Sequence, residues 1–283
     1  MSSEKLTELL ESSFTQFTPT GKRIASYLLA NMLQIPFETA DSIARQTNTT
    51  GISVGRFLRQ IGFQNLDDLK QSLRGTGQTW LMTDRLGSFR NQDEEEDVLG
   101  RSLKLELQAI EHVYQLARSP EFQHVVDRIV AADAVFVLGI QSTRGISNAF
   151  FSHLEYIRPN VFYADGLSGT YVECLNSGFE NPYLILTDFR AYSSITKKLC
   201  AAACKRNLNM ALITEYYCTW ARDYPVDLLQ INVDVGQFWD SLAPLTVLFN
   251  LLVSGVVKAT GPDLEQRLQE NKALQKELGQ FDL

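Results

Sequence analysis

TADSIARQTNTTGISVGRFLRQIGF, residues 39–63, divides into two short helical stretches separated by a polar turn. The first runs from about Thr39 to Gln46 with Ile43 and Ala44 inward. It stops at Thr47, Asn48, Thr49 and Thr50, four poor helix formers whose short side chains compete for the backbone. Thr50 can cap a second helix, in which Ile52, Phe57, Leu58 and Ile61 suit one buried face. Ser53, Arg56, Arg59 and Gln60 then share the other face. No carboxylate occurs from Ser42 through Asn65, so Arg45, Arg56 and Arg59 stand unopposed. Short residues at a helix start (Thr49, Thr50, Gly51, Ser53), followed by Arg56, Arg59 and Gln60, are what a recognition helix uses to read base edges and grip phosphates. An ordinary helical hairpin with a solvated basic face has the same pattern, so the flanks matter.

Upstream, TPTGKRIASYLLANM (residues 18–32) offers Thr18 or Thr20 as a cap and an amphipathic helix with Ile24, Leu28 and Met32 on one stripe. Downstream, Phe63, Leu66, Leu69 and Leu73 make another. A helical domain spanning residues 1–75, with the two-helix reader in its middle, follows.

The run RFLRQIGFQNLDDLKQSLR (residues 56–74) resembles the signature of the RpiR family of bacterial transcriptional regulators. Their helix-turn-helix ends in a similar Arg-Phe-x-Arg-x-x-Gly-Phe segment followed by a helix. Arg56, Phe57, Arg59, Gly62 and Phe63 match it position by position. The chain departs from the family in the turn, where Asn48, Thr49 and Thr50 stand in place of the usual Gly-Val-Ser. Gly51 and Gly55 within the second helix each cost about 1 kcal/mol against alanine. Gly55 allows a close backbone approach, or the helix completes itself on DNA.

Composition fits a globular protein, with 283 residues, 45% hydrophobic and 21% charged. No apolar run reaches the roughly 18 residues of a membrane span. The start MSSEKLTELLESSF lacks the basic head and apolar core of a signal peptide, so a cytoplasmic location is expected. The net charge of −7 is uneven: residues 1–74 hold eight Lys or Arg against seven Asp or Glu, which leaves 18 against 26 for the rest. A nearly neutral reader needs two or more copies acting together to hold DNA.

Gly75 to Gly100 changes character, from GTGQTW to the acidic NQDEEED, and residues 76–100 read as a linker. A helix from Val98 to Arg118 follows, with Leu103, Leu107, Ile110 and Tyr114 on one side, bridging the domains or packing across a dimer. From Ser119 the pattern alternates helix and strand. AVFVLG, VFYAD, PYLILTD, NMALIT and DLLQINV are short apolar runs suited to buried parallel strands. Residues 101–283 are thus expected to form a doubly wound five-stranded parallel α/β domain. The apolar helix FWDSLAPLTVLFNLLVSGVVKAT would be buried against the sheet or a partner subunit, and the charged PDLEQRLQENKALQKELGQF would end the chain.

Ligands of such sheets bind at the carboxyl ends of the strands, near the topological switch point. The first strand end, LGIQSTRGISNAF, puts Gln141, Ser142 and Thr143 at a helix start, where an anion can be cradled, though a plain polar cap looks the same. The whole arrangement resembles the sugar isomerase (SIS) domain, which in this family senses phosphosugars. At the second strand end, where SIS domains carry Ser-x-Ser/Thr-Gly-x-Thr, this chain reads LTDFRAYSSIT. Thr187 stands for the first serine, and Asp188, Phe189, Arg190, Ala191 and Tyr192 replace the compact cradle. Arg190 could grip an anion bidentately, or Asp188 and Arg190 neutralise each other; Tyr192, Ser193 and Ser194 complete the candidate effector set.

Cys174, Cys200, Cys204 and Cys218 have no metal-ligand spacing and read as buried apolar residues, so neither metal nor cofactor is expected. An isomerase would need a base. His153 and Glu155, two apart on a helix, face different sides and cannot share one substrate, and His112 and His124 are the other histidines. The sequence therefore points to a non-enzymatic DNA-binding regulator that senses a small anionic metabolite, a sugar phosphate in its commonest form. It forms a dimer or tetramer and meets an inverted-repeat operator. A phosphosugar isomerase and a ligand-independent dimerisation module remain the alternatives.

Overall fold

A computed structural model describes residues 3–31, 35, 38–73, 86, 89, 97–166, 171–189, 193–215, 218 and 220–279. They fall into two compact units, Met1–Asn91 and Gln92–Leu283.

The first unit is helical: α1 (Ser3–Ser12), a 3-10 turn at Phe14–Gln16, α2 (Pro19–Ala30), α3 (Ala40–Gln46), α4 (Gly51–Gln60) and α5 (Leu66–Leu73). Thr18 caps α2, its Oγ1 accepting from the Gly21 amide at 3.1 Å, and Pro19 sits in the first turn where no amide is needed. A reciprocal cap opens α3: the Thr39 amide donates to Ser42 Oγ at 2.7 Å and the Ser42 amide to Thr39 Oγ1 at 3.0 Å. In the turn after α3, Thr47 is buried and donates its hydroxyl to the Ile43 carbonyl at 2.7 Å. Asn48 then takes φ 50°, the left-handed conformation that asparagine tolerates, so the turn closes without the family's glycine. Thr50 caps α4 by accepting from the Ser53 amide at 3.2 Å. Beyond α4, Gly62 at φ 97° lets the Phe63 amide return to the Leu58 carbonyl at 2.9 Å.

The buried face of α4 is Val54, Phe57 and Leu58, and this corrects the sequence expectation: Ile52 is 75% exposed. Residues five and six apart do not share a helix face, whereas Val54 lies three and four before Phe57 and Leu58 and joins them. These side chains close on Ile24, Leu28, Ile43 and Leu69, and the Phe17 and Phe57 rings meet edge to face at 5.0 Å. Met32 lies outside the described residues.

The second unit runs α6 (Val98–Leu116), α7 (Pro120–Ala131), β1 (Ala134–Gly139), a 3-10 turn at Gln141–Thr143, α8 (Arg144–Ile157), β2 (Val161–Tyr163) and α9 (Val172–Leu175). It continues with β3 (Pro182–Thr187), α10 (Ser194–Lys205), β4 (Asn209–Glu215), a 3-10 turn at Ala221–Asp223, β5 (Asp227–Ile231), α11 (Ala243–Ala259) and α12 (Asp263–Glu277). The strands are ordered β2-β1-β3-β4-β5 and every neighbouring pair is parallel. β1 and β3 are buried along their whole length, as befits strands covered on both faces. Val135, Val137 and Ile185 point to one face, against Val126, Phe150, Leu248 and Phe249. Phe136, Leu138, Leu184 and Leu186 point to the other, against Leu199, Cys200 and Ala203. Phe150 and Phe249 stack at 4.1 Å and join α8 to α11.

The apolar helix expected from Phe238 begins only at Ala243. Gly236 turns the chain at φ 72° and the Ser241 amide returns to the Val233 carbonyl at 2.8 Å, so residues 236–241 are committed to a bend. Leu245, Leu248, Phe249, Leu252 and Val256 of α11 are spent inside their own unit, on the sheet side. No single described helix is long and apolar enough to cross a membrane.

Candidate functional site

Two places draw the sequence-predicted residues together. On α4, Arg56, Arg59 and Gln60 are exposed, as is Thr50 at its cap, and Thr49, Gly51 and Ser53 are half-buried around its start. The hydroxyls of the first turn are partly committed: Thr50 Oγ1 lies 3.0 Å from Ser53 Oγ, and Thr49 Oγ1 lies 2.9 Å from Thr47 Oγ1. The carboxylate-free window of sequence ends just short of Asp41, but folding brings Asp41 back to the start of α4. A Cβ at Gly51 would stand 2.6 Å from Asp41 Oδ1. The tip of the Asp41 side chain thus occupies the space that a side chain at position 51 would take.

The second place is the carboxyl edge of the sheet. The chain leaves β1 toward β2 on one side and returns to β3 on the other, and the helices after β1 and β3 pack on opposite faces. The loops after these two strands therefore flank the switch-point crevice. At the end of β1, a Cβ on Gly139 would lie 2.7 Å from Ser147 Cβ and 2.8 Å from Arg144 Cα, so only glycine admits α8 so close to the strand. Gln141, at φ 50°, and Ser142 are exposed beside it.

Thr143 sits differently from its neighbours. It is fully buried, and its Oγ1 accepts from the Ile140 amide at 3.0 Å while lying 2.9 Å from Thr187 Oγ1. Thr187 Oγ1 in turn lies 2.7 Å from Ser147 Oγ. These three hydroxyls lock β1, β3 and α8 together; they face each other and not the crevice. Thr143 thus serves the wall of the site, because its alternatives in a buried position were to bond inward or go unsatisfied.

Asp188, at the end of β3, is also buried, at 1% exposure. Its Oδ2 accepts from the Ser193 amide at 2.8 Å and from the Thr196 hydroxyl, which ties the end of β3 to the start of α10. Burial pushes its carboxyl up to about 6, against the pull of the Thr196 hydroxyl and the Ser193 and Phe189 amides. Ser193 caps α10 and Ser194, its first residue, is exposed. Arg190, Ala191 and Tyr192 lie outside the described residues, and so does any pairing of Arg190 with Asp188.

Sequence reasoning passed over Arg144. It opens α8 right after the first loop, and its Nη2 stands 3.8 Å from Asp165 Oδ2. Its Nε is buried and has no hydrogen-bond partner among the described residues. Its carbonyl accepts from the Tyr163 hydroxyl at 2.8 Å, and the Tyr171 hydroxyl reaches the Asp165 carbonyl at 3.3 Å. Burial raises both phenols above their ordinary range, with Arg144 pulling the other way. The signal that could have found it is a cation at a helix N-terminus, where the helix dipole disfavours one unless an anion is to be shared.

The cysteine thiols do not compete for this role: burial pushes Cys174 and Cys200 up to about 12 and Cys218 up to about 11. Among the described residues no group of three or more His, Cys, Asp or Glu could hold a metal ion. His124 lies 3.3 Å from Asp227 at the start of β5, on the amino edge of the sheet, and His153 is exposed along α8.

No family model matches the chain. In sequence it is 24% identical over 167 residues, 59% of each chain, to an HTH-type transcriptional regulator from Providencia stuartii, itself uncharacterised. It is 22% identical over 148 residues to a second such regulator, from Caldanaerobacter subterraneus, covering 52% of this chain and 51% of that one. The chain thus spans little more than half the length of the curated relatives it matches. In structure it resembles the Vibrio vulnificus NanR protein, solved with ManNAc-6P, at a TM-score of 0.53 and 15% identity, covering 96% of this chain and 98% of that one. The sugar isomerase domain of an RpiR transcription factor from Sphaerobacter thermophilus gives 0.52 at 16% identity, covering 63% and 96%.

Proposed function

We propose that this chain, an RpiR-type helix-turn-helix regulator by sequence likeness and fold, binds operator DNA through α4 and senses a small anionic metabolite at the carboxyl edge of its sheet. The observation that carries the reading is the pairing, in one chain, of an exposed Arg56 and Arg59 stripe on a capped second helix with a polar switch-point crevice. A regulator of this kind works in the cytoplasm, where its operator lies.

Within the crevice, Gln141 and Ser142 after β1 and Ser193 and Ser194 at the start of α10 offer polar groups. Arg144 supplies what the altered second loop has lost. Its guanidinium can take a phosphate bidentately, and an anion there would satisfy the buried Nε. The ManNAc-6P bound to NanR makes a sugar phosphate the first ligand class to try. Catalysis is not part of the proposal: the carboxylate that opens the second loop, Asp188, is taken up by the Ser193 amide and the Thr196 hydroxyl.

Subunits pair through the second unit. α11 has its apolar face inside, but α6 leaves Leu99, Leu103, Leu107 and Tyr114 exposed on the side away from buried Leu105, Ala109 and Val113. That stripe suits a second copy of the chain. An inverted repeat then presents one half-site to each α4, and the effector acts by preferring one arrangement of the dimer.

The test is a thermal-shift and DNA-binding panel of aldose and ketose phosphates. One of them should raise the melting temperature and change operator affinity, and Arg144→Ala should abolish both effects. If no sugar phosphate or acidic metabolite does either, the sensing half of the proposal fails; isomerase turnover would replace it.

A further inference from the structure

Ile52 is the most exposed large apolar side chain described in the first unit, at 75%. It stands in the first turn of α4, the part of a recognition helix that reaches base edges. The other side chains of that turn are spoken for or absent. Thr50 and Ser53 face each other at 3.0 Å, the Ser53 amide is held by Thr50 Oγ1, and Gly51 has no side chain. Ile52 therefore projects alone from the tip.

The same stripe continues through Gly55, Arg56 and Arg59, at three, four and seven residues beyond. A Cβ at Gly55 would meet only Arg59 Nη1, at 3.7 Å, so the fold does not require a glycine there. What the glycine does is leave a bare stretch of backbone between an apolar tip and two guanidinium groups. Isoleucine is a poorer helix former than alanine and gains little by burial at this position, so the fold does not account for it either. The major groove displays hydrogen-bonding groups and one apolar group, the 5-methyl of thymine.

We propose that Ile52 is a specificity-determining residue that packs on a thymine 5-methyl in the major groove, with Gly55 admitting the backbone close to the bases. This rests on α4 being the recognition helix, as proposed above. The stripe then reads a thymine at one fixed position of each half-site, and Arg56 and Arg59 take guanine edges or phosphates further along.

The experiment uses the full chain and a duplex enriched from a randomised pool. Each thymine is replaced in turn by deoxyuridine, which removes the methyl and keeps every hydrogen-bonding group. Wild type should lose about fourfold in affinity per half-site at one thymine, the worth of one buried methyl. Ile52→Ala should bind the thymine duplex more weakly, melt at the wild-type temperature, and be indifferent to deoxyuridine at that position. Equal sensitivity in the variant, or no sensitive thymine in wild type, overturns the proposal and leaves DNA binding standing. Failure of the pool to enrich any duplex sinks the DNA-binding reading and this inference with it.

Discussion

Replacing Asp188 by Asn removes a carboxyl at the carboxyl edge of the sheet that burial lifts from 3.8 to about 6. A displacement of that size is worth about 3 kcal/mol between the two protonation states. The folded carboxyl holds its proton more tightly than the unfolded one, so its contribution to stability is complete below about pH 3.8 and is lost as pH rises through about 6. At neutral pH the native protein therefore carries a buried, ionised carboxylate at a cost that Asn does not incur. Asn can place its one oxygen where Oδ2 accepts from the Ser193 amide and the Thr196 hydroxyl, but its amide nitrogen cannot accept from the Phe189 amide as the carboxylate does. The unfolding free energy of Asp188→Asn minus that of wild type should thus rise by about 2 kcal/mol from about pH 4.5 to 7.5 and flatten above. Denaturant unfolding followed by tryptophan fluorescence measures it, since Trp220 and Trp239 both lie in the second unit. A difference that falls with pH would refute the reasoning. It would mean that the ionised form is favoured by a cation, and that the loop after β3 is arranged around a charge pair and not around a desolvated acid.

Arg56→Ala and Arg59→Ala should each weaken operator binding by about tenfold or more and reduce the salt dependence, as loss of a guanidinium contact to a base or phosphate does. Both side chains are exposed, so circular dichroism melts should match wild type. Leu103→Glu combined with Leu107→Glu, on the open side of α6, should turn the proposed dimer into a monomer by sedimentation while leaving the buried side of that helix intact.

Much of the architecture was legible because it is local. The runs AVFVLG and PYLIL are short apolar stretches and became the body of β1 and β3, two of the three interior strands. The cap by Thr50 and the turn at Asn48 follow from residues adjacent in sequence. What was misread depended on angle or distance. Ile52 was grouped with Phe57 and Leu58 although spacings of five and six place it elsewhere on the helix, and Val54 took its place. Thr143 looked like a ligand-facing hydroxyl because its partner, Thr187, is 44 residues away and meets it only through strand pairing. Asp41 lies outside the carboxylate-free window in sequence but beside α4 in space. Arg144 was hidden among the polar residues of its loop, and its distinguishing feature, a buried Nε with no hydrogen-bond partner among the described residues, exists only in the folded unit. The long apolar helix lost its first turn to a bend that Gly236 starts, which hydropathy alone does not register.

The most direct measurement is selection of a randomised duplex pool by the full-length chain, with and without sugar phosphates, followed by sequencing. Operator binding by a symmetric pair of α4 helices predicts enrichment of an inverted repeat whose half-sites lie roughly 34–36 Å apart, centre to centre. It also predicts that at least one sugar phosphate changes the enrichment. A pool that stays random in every condition would contradict the regulator reading at its root.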